Sequence, residues 1–233
     1  HYQKYEAERK GLGFVMTVYR RRLTSSFFAI RKSLERRRDF LRGMAIANGG
    51  FTEDDLEQAE LDFDVDESIT PEDLKPFLGE LAYIDDFLHD LGMLTTDSKL
   101  EQLRSDLTSI FKQRETVIVF TQYTDTMDYL RDQLRQVYGD QVACYSGRGG
   151  EMWDQVAWVP RTKEHIKDKF RQGEEIKILL CTESASEGLN LQTCGRLIQY
   201  EMPWNLMRAE QRNGRVDRIG ATYPTILVSN YFY

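Results

Sequence analysis

From residue 115 onward the chain alternates short apolar runs with amphipathic stretches, and this alternation constrains the fold more than any other feature. Thr116-Val-Ile-Val-Phe120 is a continuous apolar run of strand length, the pattern of a parallel strand covered on both faces. A helical stretch follows, with Met127, Leu130, Leu134 and Val137 on one side. Val142–Tyr145, Ile176–Cys181, Arg196–Tyr200 and Thr225–Val228 read as four further strands, separated by helices predicted over Lys163–Gln172 and from about Leu206 to Arg212. Strands joined by helices imply a parallel sheet wrapped by right-handed crossovers. Ligands of such sheets bind at the loops that follow the carboxyl ends of the strands.

The first half of the chain is different in kind. Periodic apolar positions Leu12, Val15, Met16, Tyr19 and Leu23, continued by Phe27, Ile30 and Leu34, predict a helical arm over 1–47. Residues 1–50 hold 12 Lys/Arg against 4 Asp/Glu, whereas 51–110 hold 3 against 18. The arginine triplets Arg20–Arg22 and Arg36–Arg38 decorate the arm, read either as a solvated face or as a phosphate-tracking surface. Gly49-Gly50 ends it, and nine acids without a Lys or Arg fill 53–67, the composition of a poorly packed linker. Pro71–Leu91 reads as a helix, with Leu74, Phe77, Leu78, Leu81, Ile84 and Leu88 as its stripe. Ser98-Lys99-Leu100-Glu101 reads as a capping box that opens another helix running to about Arg114. The expected division is a basic helical arm (1–50), an acidic linker and helix (51–97) and an α/β lobe (98–233).

Composition bounds the rest. At 41% hydrophobic residues the chain has ample material for a core, and the net charge of −7 conceals the basic arm. Cys144, Cys181 and Cys194 have no CxxC spacing, which argues for reduced thiols in a cytoplasmic protein and against a zinc site. No apolar run is long enough for a membrane span. The start at His1 and the apolar end at Tyr231–Tyr233 read as those of a piece of a longer protein.

The loops after the strands hold the candidate chemistry. Thr121-Gln122-Tyr123-Thr124-Asp125 places hydroxyl and amide groups at a helix N-terminus, suited to a phosphate or to simple capping. Ser146-Gly147-Arg148-Gly149-Gly150 reads as a flexible basic loop or as a plain turn ahead of an insertion with Trp153 and Trp158. Thr182–Gln192 is long, polar and rich in small residues, with Gly188 and Asn190 near its end. Arg215 and Arg218 stand three apart beside Gly214, so on a helix their guanidiniums would serve one polyphosphate target. No Walker A pattern is present, so the chain cannot complete a P-loop nucleotide site by itself.

Phe120-Thr121-Gln122, Thr182–Gln192, Tyr200-Glu-Met-Pro-Trp-Asn205 and Gln211–Gly220 resemble helicase motifs IV, V, the intervening segment and VI of Swi/Snf-type superfamily 2 ATPases, in that order over roughly 98–220. Tyr19–Arg38 is more weakly similar to the helical region of the RapA-like bacterial subgroup. The resemblance implies a RecA-like parallel sheet with helices on both faces, the second helicase lobe, preceded by a helical arm. It implies that Arg215 and Arg218 are catalytic fingers for the ATP γ-phosphate, and that Gly188, Asn190 and Gln211 are nucleotide-side residues. It further implies that Gln122 and Thr182 lie near the DNA backbone, where Arg148 is the basic candidate from the residues themselves. ATP and Mg2+ would be held mainly by a first lobe, with no metal site in this chain, and the isolated piece is expected to be inactive. The implied partner is double-stranded DNA through its phosphates, with RNA polymerase or an anti-phage defence complex as protein partners that the resemblance does not separate. A strand-separating helicase and a non-catalytic RecA-like interaction module are the alternatives. Glu201 stands where the family usually has Asp, Leu206 where it often has Pro, and Ala221 where it usually has Gln.

Overall fold

The computed structural model describes residues 10–43, 52, 79–114, 116–182, 192–203, 206–214, 216 and 222–232. It divides into two compact units, 1–97 and 98–233, each described by itself. The acidic segment 53–67, the predicted helical stretch 71–78, Gly188, Asn190, Trp204, Asn205, Arg215 and Arg218 lie outside the described residues.

In the first unit the described part of the arm is two helices, α1 (Lys10–Ser25) and α2 (Phe27–Leu41). Ser26 causes the break. Its backbone is extended, and its side chain accepts a hydrogen bond from the Ala29 N–H at 3.0 Å, capping α2. α3 (Glu80–Met93) begins after Gly79, whose φ of +83° is the left-handed conformation that glycine tolerates without strain. Ile30, Leu34 and Ile84 form the core of this unit, flanked by Tyr19, Leu41, Leu88 and Leu91.

Neither reading of the arginine triplets survives intact, because Arg21, Arg22 and Arg37 are buried. Arg22 donates to Thr52 Oγ1 at 3.0 Å, and Arg37 forks onto Glu80. Arg22 and Arg37 are internal ties, not a surface that tracks phosphates.

The second unit starts with α4 (Ser98–Ile110), shorter than the stretch to Arg114 predicted for it. There follow β1 (Val117–Thr121), α5 (Thr124–Tyr138), β2 (Val142–Ser146), β3 (Gly149–Trp153), β4 (Trp158–Arg161), α6 (Lys163–Gln172), β5 (Ile178–Thr182), β6 (Arg196–Gln199), α7 (Leu206–Asn213) and β7 (Leu227–Asn230). The sheet order is β4-β3-β2-β5-β1-β6-β7. β2, β5, β1, β6 and β7 are mutually parallel, with Thr121 paired to Thr182 at the carboxyl ends of β1 and β5.

All five residues of β1 are buried, and their alternation supplies two cores. Val117 and Val119 join Leu103 and Leu107 of α4 and Met127 and Leu130 of α5. Ile118 and Phe120 join Ile166 and Phe170 of α6 on the opposite face. Full burial of each such side chain contributes about 1.5–3 kcal/mol.

α6 forms where it was expected because both ends carry stop signals. Thr162 accepts from the His165 N–H, and Gly173 at φ +71° donates to the carbonyls of Lys169 and Phe170. Val137, expected on the apolar face of α5, is 59% exposed. It lies in the last turn before Gly139, where Tyr138 makes the contact instead, edge-on to Phe111 at 5.5 Å.

The sheet is not purely parallel. The glycine-rich stretch and the supposed insertion form an antiparallel ribbon, β2-β3-β4, along one edge. Asp154 turns it by accepting from the Val156 and Ala157 N–H groups, which hold its carboxyl below the ordinary value. Trp153 and Trp158 face each other across the turn, edge to face at 5.5 Å, with Arg135 over Trp153 and Arg131 over Trp158. Pro160 lacks an N–H on this outer strand, which suits an unpaired edge.

Candidate functional site at the carboxyl ends of the parallel strands

Parallel pairing brings the ends of β2, β5, β1 and β6 to one edge of the sheet. Arg148, Thr182, Gln122 and the segment leading to α7 follow those ends in turn, so the described candidates share that edge.

At the end of β1 the Thr121 hydroxyl donates to the Tyr123 carbonyl at 3.3 Å, and Tyr123 occupies the cap position of α5 without a side-chain capping bond. Gln122 is buried, and its main-chain N–H donates to Oε2 of Glu201. Thr182 is buried beside Thr121. Neither Gln122 nor Thr182 is presented on an open surface.

The end of β6 is cross-linked by several buried side chains. Arg212, on α7, is 1% exposed. Its Nη1 donates to Oε1 of Gln199 at 3.2 Å and to the Glu201 carbonyl at 3.0 Å. Gln199 in turn donates through Nε2 to Oδ1 of Asn213 at 3.2 Å. The Arg212 guanidinium also lies 5.5 Å from the centre of the Phe120 ring. Gln211, the preceding residue, is exposed, because successive helical residues point about 100° apart.

Arg148 sits in the β2–β3 turn with its fork on Asp128, Nη1 to Oδ2 at 3.0 Å and Nη2 to Oδ1 at 2.6 Å. The Asp128 hydrogen bonds raise its pKa above the ordinary arginine value, so it is a permanent cation already matched by a carboxylate. Asp128 also lies 3.3 Å from Arg131, which bonds Glu151 at 2.8 Å.

Sequence reasoning missed Arg212 and Glu201 as structural partners. A signal was available: a basic residue two positions before Gly214, and an acid two positions past an apolar strand. Among the described residues no group of three His, Cys, Asp or Glu side chains could hold a metal ion. No described helix is long and apolar enough to cross a membrane.

A parallel order of β2-β5-β1-β6-β7, with helices on both faces and polar cross-links at the carboxyl edge, defines a RecA-like α/β lobe. Residues 98–220 match the helicase conserved C-terminal domain, and the chain belongs to that family. It is 38% identical over 130 residues to a Bacillus subtilis (strain 168) protein named uncharacterized ATP-dependent helicase YqhH, covering 56% of this chain and 21% of the relative. It is 32% identical over 125 residues to the RNA polymerase-associated protein RapA of Proteus mirabilis (strain HI4320), covering 53% of this chain and 12% of that protein. The chain therefore spans about a fifth or less of these relatives. The helicase domain of Pyrococcus furiosus Hef superposes with a TM-score of 0.53 at 16% identity, covering 95% of this chain and 39% of that one, a likeness of fold.

Proposed function

We propose that this chain is the second motor lobe of a DNA-dependent ATPase that moves along duplex DNA. The observation that carries the reading is the gathering of Gln122, Thr182, Arg148 and α7 on the carboxyl edge of a RecA-like lobe whose residues 98–220 match a helicase C-terminal domain. The division into a basic arm (1–50), an acidic linker and helix (51–97) and the lobe (98–233) belongs to the same reading, supported at residue 97 by the boundary between the two compact units.

In this reading the first lobe holds ATP and its Mg2+, and the present chain supplies charge from across a cleft. Phosphoryl transfer depends mostly on positioning and charge stabilisation, and an arginine finger contributes about 10³–10⁵ in rate. Arg215 and Arg218 take that role. Gln211, Gly188 and Asn190 line the nucleotide side. Thr182 and Gln122 underlie the side that faces the DNA backbone, and Arg148 is the candidate that meets its phosphates, so binding is insensitive to base sequence and weakens as salt rises. Association with RNA polymerase, the partner in the printed name of RapA, is part of the proposal on the strength of that similarity.

The test is DNA-stimulated ATP turnover by the full-length gene product carrying Arg218→Ala. Turnover should fall at least a hundredfold with ATP binding largely kept; near-normal turnover would remove the finger assignment.

A further inference from the structure

We infer that Arg212 is a positioning residue, and that the bridge from Arg212 through Glu201 to Gln122 ties the nucleic-acid side of the lobe to its nucleotide side. The inference rests on the motor reading for its functional consequence, but the bridge itself stands on geometry.

Three segments that are distant in sequence meet in this bridge. Gln122 follows β1, Glu201 follows β6, and Arg212 belongs to the last turn of α7. Glu201 joins the other two with separate groups: its carboxylate accepts the Gln122 main-chain N–H, and its carbonyl accepts from Arg212. Arg212 also bonds the Gln199 side chain, which holds Asn213 by its amide. Displacement of the chain at Gln122 therefore pulls on Glu201, and through it on the end of α7. The Gly214-Arg215 step follows immediately in sequence.

Burial makes the bridge stiff. Arg212, Gln199 and Glu201 are each less than a tenth exposed. A charged donor in such surroundings keeps its acceptors, because no water replaces them at low cost. Arginine suits the place for a geometric reason. Nη1 alone serves both acceptors, while the guanidinium carbon lies 5.5 Å from the centre of the Phe120 ring. A lysine ammonium also has three N–H donors, but it ends one bond short of Nη1 and has no planar group to place by the ring.

The resemblance puts Asp where this chain has Glu201. The longer side chain adds one methylene to the reach between the end of β6 and the Gln122 N–H, so Glu201→Asp is the conservative probe and Glu201→Gln the charge-removing one.

The experiment uses the full-length gene product with Arg212→Lys, Arg212→Gln, Glu201→Gln and Glu201→Asp, read by two independent measurements. Hydrogen exchange tests the bridge. Exchange at residues 121–123 should accelerate at least tenfold in Arg212→Gln and Glu201→Gln, while 117–120 in the middle of the sheet stay as in the parent. Unchanged exchange at 121–123 in both variants would overturn the bridge, whatever the enzyme's activity. ATP turnover with and without duplex DNA tests the coupling. DNA-stimulated kcat should fall at least tenfold in Arg212→Gln with KM for ATP within threefold. Arg212→Lys should recover less than half of the loss, and Glu201→Asp should keep more than a third of parent activity. Parent-like DNA stimulation in Arg212→Gln at a temperature where it is fully folded would overturn the positioning role. A parent protein without DNA-stimulated turnover would overturn the motor reading and the coupling with it, while the exchange result decides the bridge.

Discussion

Arg37 and Glu80, 43 residues apart in sequence, meet as a two-point ion pair sealed inside the helical unit. Nε donates to Oε1 at 2.7 Å and Nη2 to Oε2 at 2.9 Å, and the two side chains are 1% and 2% exposed. The pair joins α2 to α3. Removing one member leaves the other as a buried unmatched charge, so Arg37→Ala or Glu80→Ala should destabilise this unit by about 3–5 kcal/mol. Replacing both, as Arg37→Met with Glu80→Leu, should be near neutral or stabilising. Urea unfolding of the two single variants and the double variant measures this; additive losses would refute the account.

The buried thiols predict how stability responds to alkali. Burial pushes Cys194 up to about 11, against about 8.5 for an exposed thiol. Between those values the unfolded chain releases a proton that the folded chain keeps. The contribution is therefore complete below about pH 8.5 and is lost as pH rises toward 11, at about 1.4 kcal/mol per pH unit. Cys194→Ala should flatten the fall in the urea midpoint between pH 8.5 and 10.5 relative to the parent. Parallel curves would show that Cys194 does not contribute.

Two glycines should respond to alanine with opposite signs. A Cβ at Gly150 would stand 2.7 Å from Ile166 Cγ1 and 2.8 Å from the Arg161 carbonyl oxygen, which is backbone and cannot swing away. Gly150→Ala should cost about 1–3 kcal/mol by overpacking. Gly92, within α3, has nothing within 4 Å of the added atom. Gly92→Ala should stabilise by about 0.4–1 kcal/mol by restricting the unfolded chain. Thermal unfolding of both variants separates the signs.

Asp128 competes with a phosphate for the Arg148 guanidinium. If Arg148 is a DNA contact, Asp128→Asn should raise affinity for duplex DNA by weakening the competing pair. Arg148→Ala should lower the slope of log K against log salt by about 0.9, the loss of one phosphate contact. An unchanged slope would confine Arg148 to a structural role at the ribbon turn.

The sequence by itself determined the central parallel strands, α6 and the order of the loops. Each rests on local physics: a continuous apolar run such as Val117–Phe120 has no stable placement except between two covering layers. Thr162 at its start and Gly173 at its end likewise bound α6 by local capping. The family followed from the same stretch, because its motifs are contiguous in the chain.

Tertiary structure alone decided the rest. The β3–β4 ribbon was obscured because glycines and half-buried tryptophans carry little alternation, although Asp154 and the paired Trp153 and Trp158 mark the turn once seen together. Arginines look alike in sequence, yet Arg37 and Arg212 are buried ties while Arg148 is held at the surface. What separates them is the carboxylate, amide or carbonyl that the fold brings alongside. Those partners lie 43, 13 and 20 residues away, for Glu80, Gln199 and Asp128 in that order. No local pattern encodes that proximity.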